Sequence, residues 1–229
     1  MNAVTSVTCT VSDLLEDRAG LADDLDRTAA VFTTLSRVLL APPLEEVLGQ
    51  LRDEDLLAQW PSLPSPETRD GVRQLIEAAS TGEDARDVRR DFTRLFVGPE
   101  RMPAAPYESV HRSKDRLIFE QDTFLVRAAY AEFGLAAPRL NQEPDDHIGL
   151  ETGFVAELCV RGLDALDTQD DTELLRLVTG IATFLDEHLL AWGPQCFTLV
   201  ESEAATCFYR GVGLLGLGAL ADAERTFRS

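Results

Sequence analysis

Residues 21–43 read LADDLDRTAAVFTTLSRVLLAPP. Leu21, Leu25, Ala29, Phe32, Leu35 and Leu39 step by three or four positions, which places them on one face of a long α-helix. Pro42 and Pro43 stop it. The same period returns along the rest of the chain. Leu44, Val47, Leu48 and Leu51 predict a short second helix, and Val72, Leu75, Ile76 and Ala79 a third, with Ser65 as its N-cap, Pro66 at its first position and Gly82 as its stop. Val88, Phe92, Leu95 and Phe96 form the next stripe, ended by Gly98-Pro99. Residues 98–112, with three prolines, read as an irregular loop. A helix from about Ser113 to Phe133 presents Leu117, Phe124, Leu125 and Ala128, with Gly134 as its C-cap. Three more follow: one through Ile148, Phe154, Val155, Leu158 and Leu166, one from Leu174 to Leu189 that ends near Gly193-Pro194, and a last one from about Thr198. No alternating β-branched run and no internal repeat is visible. The expectation is an all-α protein: residues 1–229 as a single globular helical domain of about eight to ten helices.

Composition narrows the partners. The 229 residues carry 40 acidic and 21 basic side chains, a formal net charge of −19. That balance speaks against a nucleic-acid backbone and against an anionic membrane surface. It favours a cationic partner such as an Arg-bearing peptide. The longest apolar run, Val212 to Ala221, is too short for a bilayer span, and no basic residue precedes Arg18, so stable membrane insertion and a secretory signal are not expected. Cys9, Cys159, Cys196 and Cys207 form no C-x-x-C pair, and their sparse spacing suggests a reduced, cytoplasmic setting with Cys159 in the core. Lys114, the sole lysine, lies in no G-K-[ST] phosphate loop. The charge alternation from Glu83 to Asp91 reads as a solvated helix face. Gly211, Gly213, Gly216 and Gly218 are costly in the last helix, so close packing, a bend or a dimer contact is expected there.

Two loops carry chemistry. One leads through Pro106-Tyr107-Glu108-Ser109-Val110, the other is Glu143-Pro144-Asp145-Asp146-His147-Ile148-Gly149-Leu150-Glu151. Pro144 disfavours helix before it, Asp145 is a natural N-cap, Asp146 falls in the first turn, and His147 and Glu151 share a helical face. Four readings compete: a capped, acidic helix start; a metal site on His147 and Glu151, for which H-E-x-x-H is absent; acid–base chemistry on Asp146, His147 and Glu151, for which no G-x-S-x-G accompanies it; and binding of an Arg-bearing peptide, with an apolar groove beside the carboxylates. Trp60 and Tyr107, each beside a proline, are candidates to line a pocket, whereas Phe92, Phe96, Phe124, Phe154 and Trp192 are expected to pack in the core.

The order Phe92-x-x-Leu95-Phe96-x-Gly98-Pro99, Pro106-Tyr107-Glu108-Ser109-Val110, Thr123-x-x-Val126-Arg127-x-x-Tyr130, Gly134-Leu135 and Glu143-Pro144-Asp145-Asp146-His147-Ile148-x-Leu150-Glu151 resembles the TorD/DmsD family of redox-enzyme maturation chaperones, with its NarJ-like relatives. Phe184-Leu185-x-x-His188-Leu189-x-x-Trp192 and Phe208-Tyr209 extend the match to about residue 209. The resemblance implies a cytoplasmic, all-helical, non-enzymatic chaperone without a cofactor, a catalytic residue or a metal ligand of its own. It implies as partner the twin-arginine signal peptide, and the apo form, of a molybdopterin oxidoreductase of the dimethyl sulfoxide reductase kind, held back from Tat export until its cofactor is inserted. It places Asp146 and His147 in the signal-binding region, with Pro144 and Asp145 shaping it, Glu151 beside them, and Tyr107 and Glu108 at its edge. Guanine-nucleotide binding has been proposed in the family. His111, where the family more often has Tyr, and Glu120-Gln121-Asp122, where a Gly-containing turn is usual, depart from the pattern and bear on groove shape and client identity. A monomer and a homodimer are both compatible with the sequence. The alternative is a metal-dependent or acid–base enzyme built on Asp146, His147 and Glu151.

Overall fold

The structure is a computed structural model that describes residues 17–98, 101–112, 121–137 and 144–228. Helices run α1 Arg18–Leu40, α2 Glu45–Gln50, α3 Glu54–Leu57, α4 Pro66–Ser80, α5 Ala85–Phe92, α6 Glu108–Arg112, α7 Gln121–Glu132, α8 Ile148–Thr168, α9 Asp171–Phe184, α10 Leu190–Glu203 and α11 Cys207–Phe227. A π segment, Thr93–Val97, extends α5, and another, Leu185–Leu189, joins α9 to α10. The eleven α segments therefore make ten continuous helical runs among the described residues, within the range that the periodicity predicts. Cys9, Pro99, Glu100, Leu117, Glu120, Glu143 and the predicted helical start at Ser113 lie outside the described residues.

Local chemistry sets many of the boundaries. The Asp17 side chain accepts from the Gly20 N–H and opens α1, which closes at Ala41 before the proline pair. Ser65 accepts from Thr68 N–H at 3.0 Å, with Pro66 leading α4, and Gly82 (φ +74°) follows its end. Asp84 and Asp87 form a capping box at the start of α5. Gly134 (φ +67°) ends α7 as a left-handed C-terminal residue does.

Three boundaries differ from the sequence reading. Asp53 caps the unforeseen one-turn α3 by accepting from Asp55 and Leu56 N–H. The last five residues of the predicted 98–112 loop are α6, whose Ser109 N–H is satisfied from outside, by Asp146. The helical run beginning at Asp171 does not end at Gly193-Pro194; it continues to Glu203, with Pro194 inside α10, and the last helix starts at Cys207 rather than Thr198. An interior proline costs about 3 kcal/mol. Trp192, Cys196, Phe197 and Val200 continue the buried stripe across it, each at most 1% exposed. At roughly 1.5–3 kcal/mol for burying a large apolar side chain, that stripe outweighs the proline.

The core is organised by helix pairs that approach closely at small residues. α1 lies along α8: Ser36 Oγ donates to Gly149 O at 2.6 Å, and a side chain at Gly153 or Gly162 would run into Ser36 or Leu25. α11 sits between α4 and α10. Gly211 meets Leu75 and the Gly71 carbonyl of α4, and Gly218 meets Thr68; Gly213 meets the Glu201 and Phe197 backbone of α10, and Gly216 the Phe197 ring. The glycines of the last helix are thus consumed by packing inside the chain, the first of the three uses expected of them. Among the described residues no helix is long and apolar enough to cross a membrane.

Candidate functional site

The two chemistry-bearing loops meet. Tyr107 and His147 form an isolated antiparallel bridge, with Glu108 N–H donating to Asp146 O (2.9 Å) and Ile148 N–H to Pro106 O (2.8 Å). This pairing holds His147 extended, so α8 begins only at Ile148, and His147 rather than Asp145 is its N-cap. Its Nδ1 accepts the Gly149 N–H at 3.0 Å. Asp146 therefore precedes the helix instead of lying in its first turn, and the imidazole stands edge-on to Tyr107, ring centres 5.3 Å apart.

Pro144, Asp145, Asp146, His147, Glu108 and Glu151 are all buried, and Tyr107 is half-buried. Their polar atoms are largely committed within the chain. Asp146 accepts from Ser109 N–H and Thr123 Oγ, both at 2.8 Å, and so ties α6 and α7 to the start of α8. Asp145 Oδ2 takes Arg127 Nη2 (2.6 Å) and Nε (3.0 Å), and its carbonyl takes the Tyr130 hydroxyl; its other carboxylate oxygen has no hydrogen-bond partner among the described residues. Glu108 bridges Arg112 (2.5 Å) and His188 Nδ1 (3.0 Å). Arg112 also donates to Glu187 O, linking the loops to the π segment before α10. Trp192 Nε1 donates to Glu151 at 3.2 Å.

Burial sets the protonation states. Desolvation lowers the His147 pKa to about 4, so its ring is neutral and free to accept. Desolvation, then the negative charge of Glu108, raises Glu151 well above the ordinary carboxylate range, against the Trp192 hydrogen bond and Arg112. Hydrogen bonds donated to Glu108 and Asp145 raise Arg112 and Arg127, respectively, so both cations are retained. The carboxylates expected from sequence at a peptide site are an internal cross-link. Among the described residues no three His, Cys, Asp or Glu side chains converge so as to hold a metal ion.

That cross-link turns α7. With Thr123, Arg127 and Tyr130 bound to Asp146 and Asp145, the buried face is Thr123, Val126 and Tyr130. Phe124, expected inside, is 60% exposed, and its neighbour Leu125 is 48% exposed. Between α7 and α9 opens a cleft of about 1120 Å³, walled by Leu125, Ala129, Phe133, Leu175, Gly180 and Phe184. The far end of the Phe133 ring lies so close to Gly180 that a side chain there would push it aside, and the Arg176 guanidinium lies over the same ring at 4.5 Å. Glu132, Asp186 and Glu187 edge the cleft, with Arg112 and His188 at the end nearest the loops. The sequence signal for this cleft was Leu125 and Leu175, apolar residues in excess of one buried stripe on each helix. Trp60 packs half-buried on the core and donates to Ser62 Oγ.

Residues 64–198 match the model of the family described as nitrate reductase delta subunit. Similarity to individual chaperones extends further along the chain. The "Chaperone protein TorD" of Aliivibrio fischeri is 29% identical over 196 residues, covering 83% of this chain and 90% of the relative. The chain belongs to the TorD/DmsD family of redox-enzyme maturation chaperones. The "Tat proofreading chaperone DmsD" of Salmonella typhi is 26% identical over 203 residues, covering 87% of this chain and 89% of the relative. A "Probable Tat proofreading chaperone DmsD" of Haemophilus influenzae is 24% identical, with 77% of this chain and 78% of the relative covered. The two paired loops fall inside the family match, as do all the residues that wall the α7–α9 cleft.

Proposed function

We propose that this member of the family is a non-enzymatic cytoplasmic chaperone. It binds the twin-arginine signal peptide of a molybdopterin oxidoreductase subunit, and keeps the apo-enzyme from Tat export while its cofactor is inserted. The observation that carries this reading is the apolar, carboxylate-edged cleft between α7 and α9. At 1.5 Å per residue, the twelve residues of α7 offer roughly 18 Å of wall. The apolar stretch of a signal peptide, about 7–15 residues, spans a comparable length as a helix. The groove takes that stretch, and Glu132, Asp186 and Glu187 take the arginines at its edge. The net charge of −19 steers the cationic segment in and chiefly raises the on-rate.

In this reading Tyr107, Glu108, Pro144, Asp145, Asp146, His147 and Glu151 serve the peptide by position. They fix the turn of α7 and, through Arg112 and Glu187, the π segment that borders the groove. The enzymatic alternative has less support. Asp146 is spent on Ser109 and Thr123, His147 Nδ1 on Gly149, and Glu151 on Trp192. Leu125→Asp and Leu175→Asp test the groove. Both side chains are nearly half exposed, so the fold is expected to survive while signal-peptide affinity falls at least tenfold, the cost of losing one buried Leu contact at roughly 1.5–3 kcal/mol. Unchanged affinity in both variants refutes the groove as the site.

A further inference from the structure

The linear alternation of charge along α5 becomes segregation by face in three dimensions. Two of the acidic residues, Glu83 and Asp91, turn toward the start of α11. Asp91 accepts from Ala205 N–H, Thr206 N–H and Thr206 Oγ, and Glu83 accepts from Cys207 and Phe208 N–H. The arginine side chains are exposed, with Arg94 also donating to Asp91 and to Glu203 O. Arg86, Arg89, Arg90, Arg94 and Arg101 line an open cleft of about 680 Å³, with Thr93, Gly98 and Pro103. Among the described residues no carboxylate lines it, in a chain whose net charge is −19. Arg90 pairs loosely with Asp87 at 3.5 Å, and Arg94 with Asp91 at 2.8 Å. The side chains of Arg86, Arg89 and Arg101 make no hydrogen bond or ion pair among the described residues, although the charge of Arg86 acts on nearby Asp84, which accepts the Arg86 backbone N–H. Arg86, Arg90 and Arg94 repeat at i, i+4, a like-charge spacing that opposes the helix by a few tenths of a kcal/mol per pair. The Arg90–Asp87 and Arg94–Asp91 pairs offset only part of that cost.

We propose that this arginine cleft is a second docking surface, for an acidic polypeptide segment of a protein partner. The occupant follows from the arrangement. From Arg86 to Arg94 the helix rises roughly 12 Å, so the guanidiniums form a row rather than converge on one point. A single phosphate group would need converging donors and backbone N–H groups; the Gly98 N–H is already spent on Thr93 O. A nucleic-acid strand would need aromatic side chains for stacking, and none lines the cleft. Carboxylates on one face of an extended segment recur roughly every 6.6 Å, which suits a row of this length. Val97, 61% exposed at the end of the same helical run, offers an apolar anchor beside the arginines. The inference does not rest on the signal-peptide reading, since the α7–α9 groove shares no residue with this cleft.

The test is fluorescence anisotropy with a labelled (Glu-Glu-Leu)4 peptide and the full-length protein. The comparison variants are the triple substitution Arg86→Gln/Arg89→Gln/Arg101→Gln and Arg89→Gln alone. None of the three side chains has a hydrogen bond or ion pair to lose among the described residues, so thermal midpoints are expected to stay nearly unchanged. The expected result is saturable binding that weakens with salt, falls about tenfold in the triple variant and falls less in the single one. Absence of binding, or equal binding by the triple variant, overturns the proposal. Displacement of the peptide by an equimolar amount of inorganic tripolyphosphate also overturns it, in favour of a phosphate ligand. An oligomer of the wild-type protein that the triple variant abolishes overturns it in favour of a second copy of the chain.

Discussion

Replacing His147 with Asn isolates one buried imidazole from every other acid-sensitive group in the protein. Asn keeps a side-chain acceptor at the N-cap of α8 and does not titrate. In the native protein desolvation holds the His147 pKa at about 4, against the ordinary histidine value of 6.5. Between those values the unfolded chain binds a proton that the native state refuses. The depressed pKa therefore contributes stability that is fully present above pH 6.5 and is lost as pH falls through 4. The gap of 2.5 units, at 1.36 kcal/mol each, amounts to about 3 kcal/mol, of which about 2 are gone at pH 5. Against a typical domain stability of about 5–15 kcal/mol this is large enough to measure. The assay is urea unfolding followed by circular dichroism, at several pH values between about 7.5 and 4.5. Other carboxylates destabilise both proteins as pH falls, so the reading is the difference between them. The wild type is expected to lose about 2 kcal/mol relative to the variant by pH 5. A difference that stays flat over that range refutes the buried neutral cap.

Glu151 titrates with the opposite sign. Its folded pKa is raised, so its contribution is fully present below the unfolded value of 4.5 and is lost as pH rises through the folded value. Glu151→Gln, which still accepts from Trp192, is expected to gain on the wild type as pH increases, and a gain confined to acid pH would reverse the assignment. Gly213→Ala forces a methyl group to 2.5 Å from the Glu201 amide nitrogen, where backbone must shift. It is expected to cost about 1–3 kcal/mol in the same unfolding assay. Gly49→Ala, in an open helical position, is expected to gain about 0.5–1 kcal/mol. Equal behaviour of the two substitutions would mean that α10 and α11 do not pack as closely as described.

The helical architecture was legible because one signal dominates it. Stripes such as Leu21–Leu39 and Leu174–Leu189 have the period of a buried helix face, and caps such as Ser65 and Gly82 are local. What escaped the sequence depended on partners far along the chain. The Asp145-Asp146-His147 run looks like a capped helix start, because capping preferences are local. Its true start is set by pairing with Pro106–Glu108, some forty residues earlier. Thr123, Arg127 and Tyr130 were visible as a motif, but not as the atoms that turn α7 outward. That is why the sequence reading places Phe124 in the core. Likewise, alternating charges on α5 carry no information about which face meets α11 until α11 is in place.

The central claim concerns what the α7–α9 groove holds. Calorimetric titration of the protein with a twin-arginine signal peptide of a molybdoenzyme, beside the same peptide carrying two lysines, addresses it directly. Lysine keeps the charge but lacks the planar fork that grips a carboxylate through two hydrogen bonds. The account predicts binding in the micromolar range or tighter, weakened by the lysine substitution and weakened further in Leu175→Asp. Failure of several such peptides to bind, or binding indifferent to both changes, would contradict it.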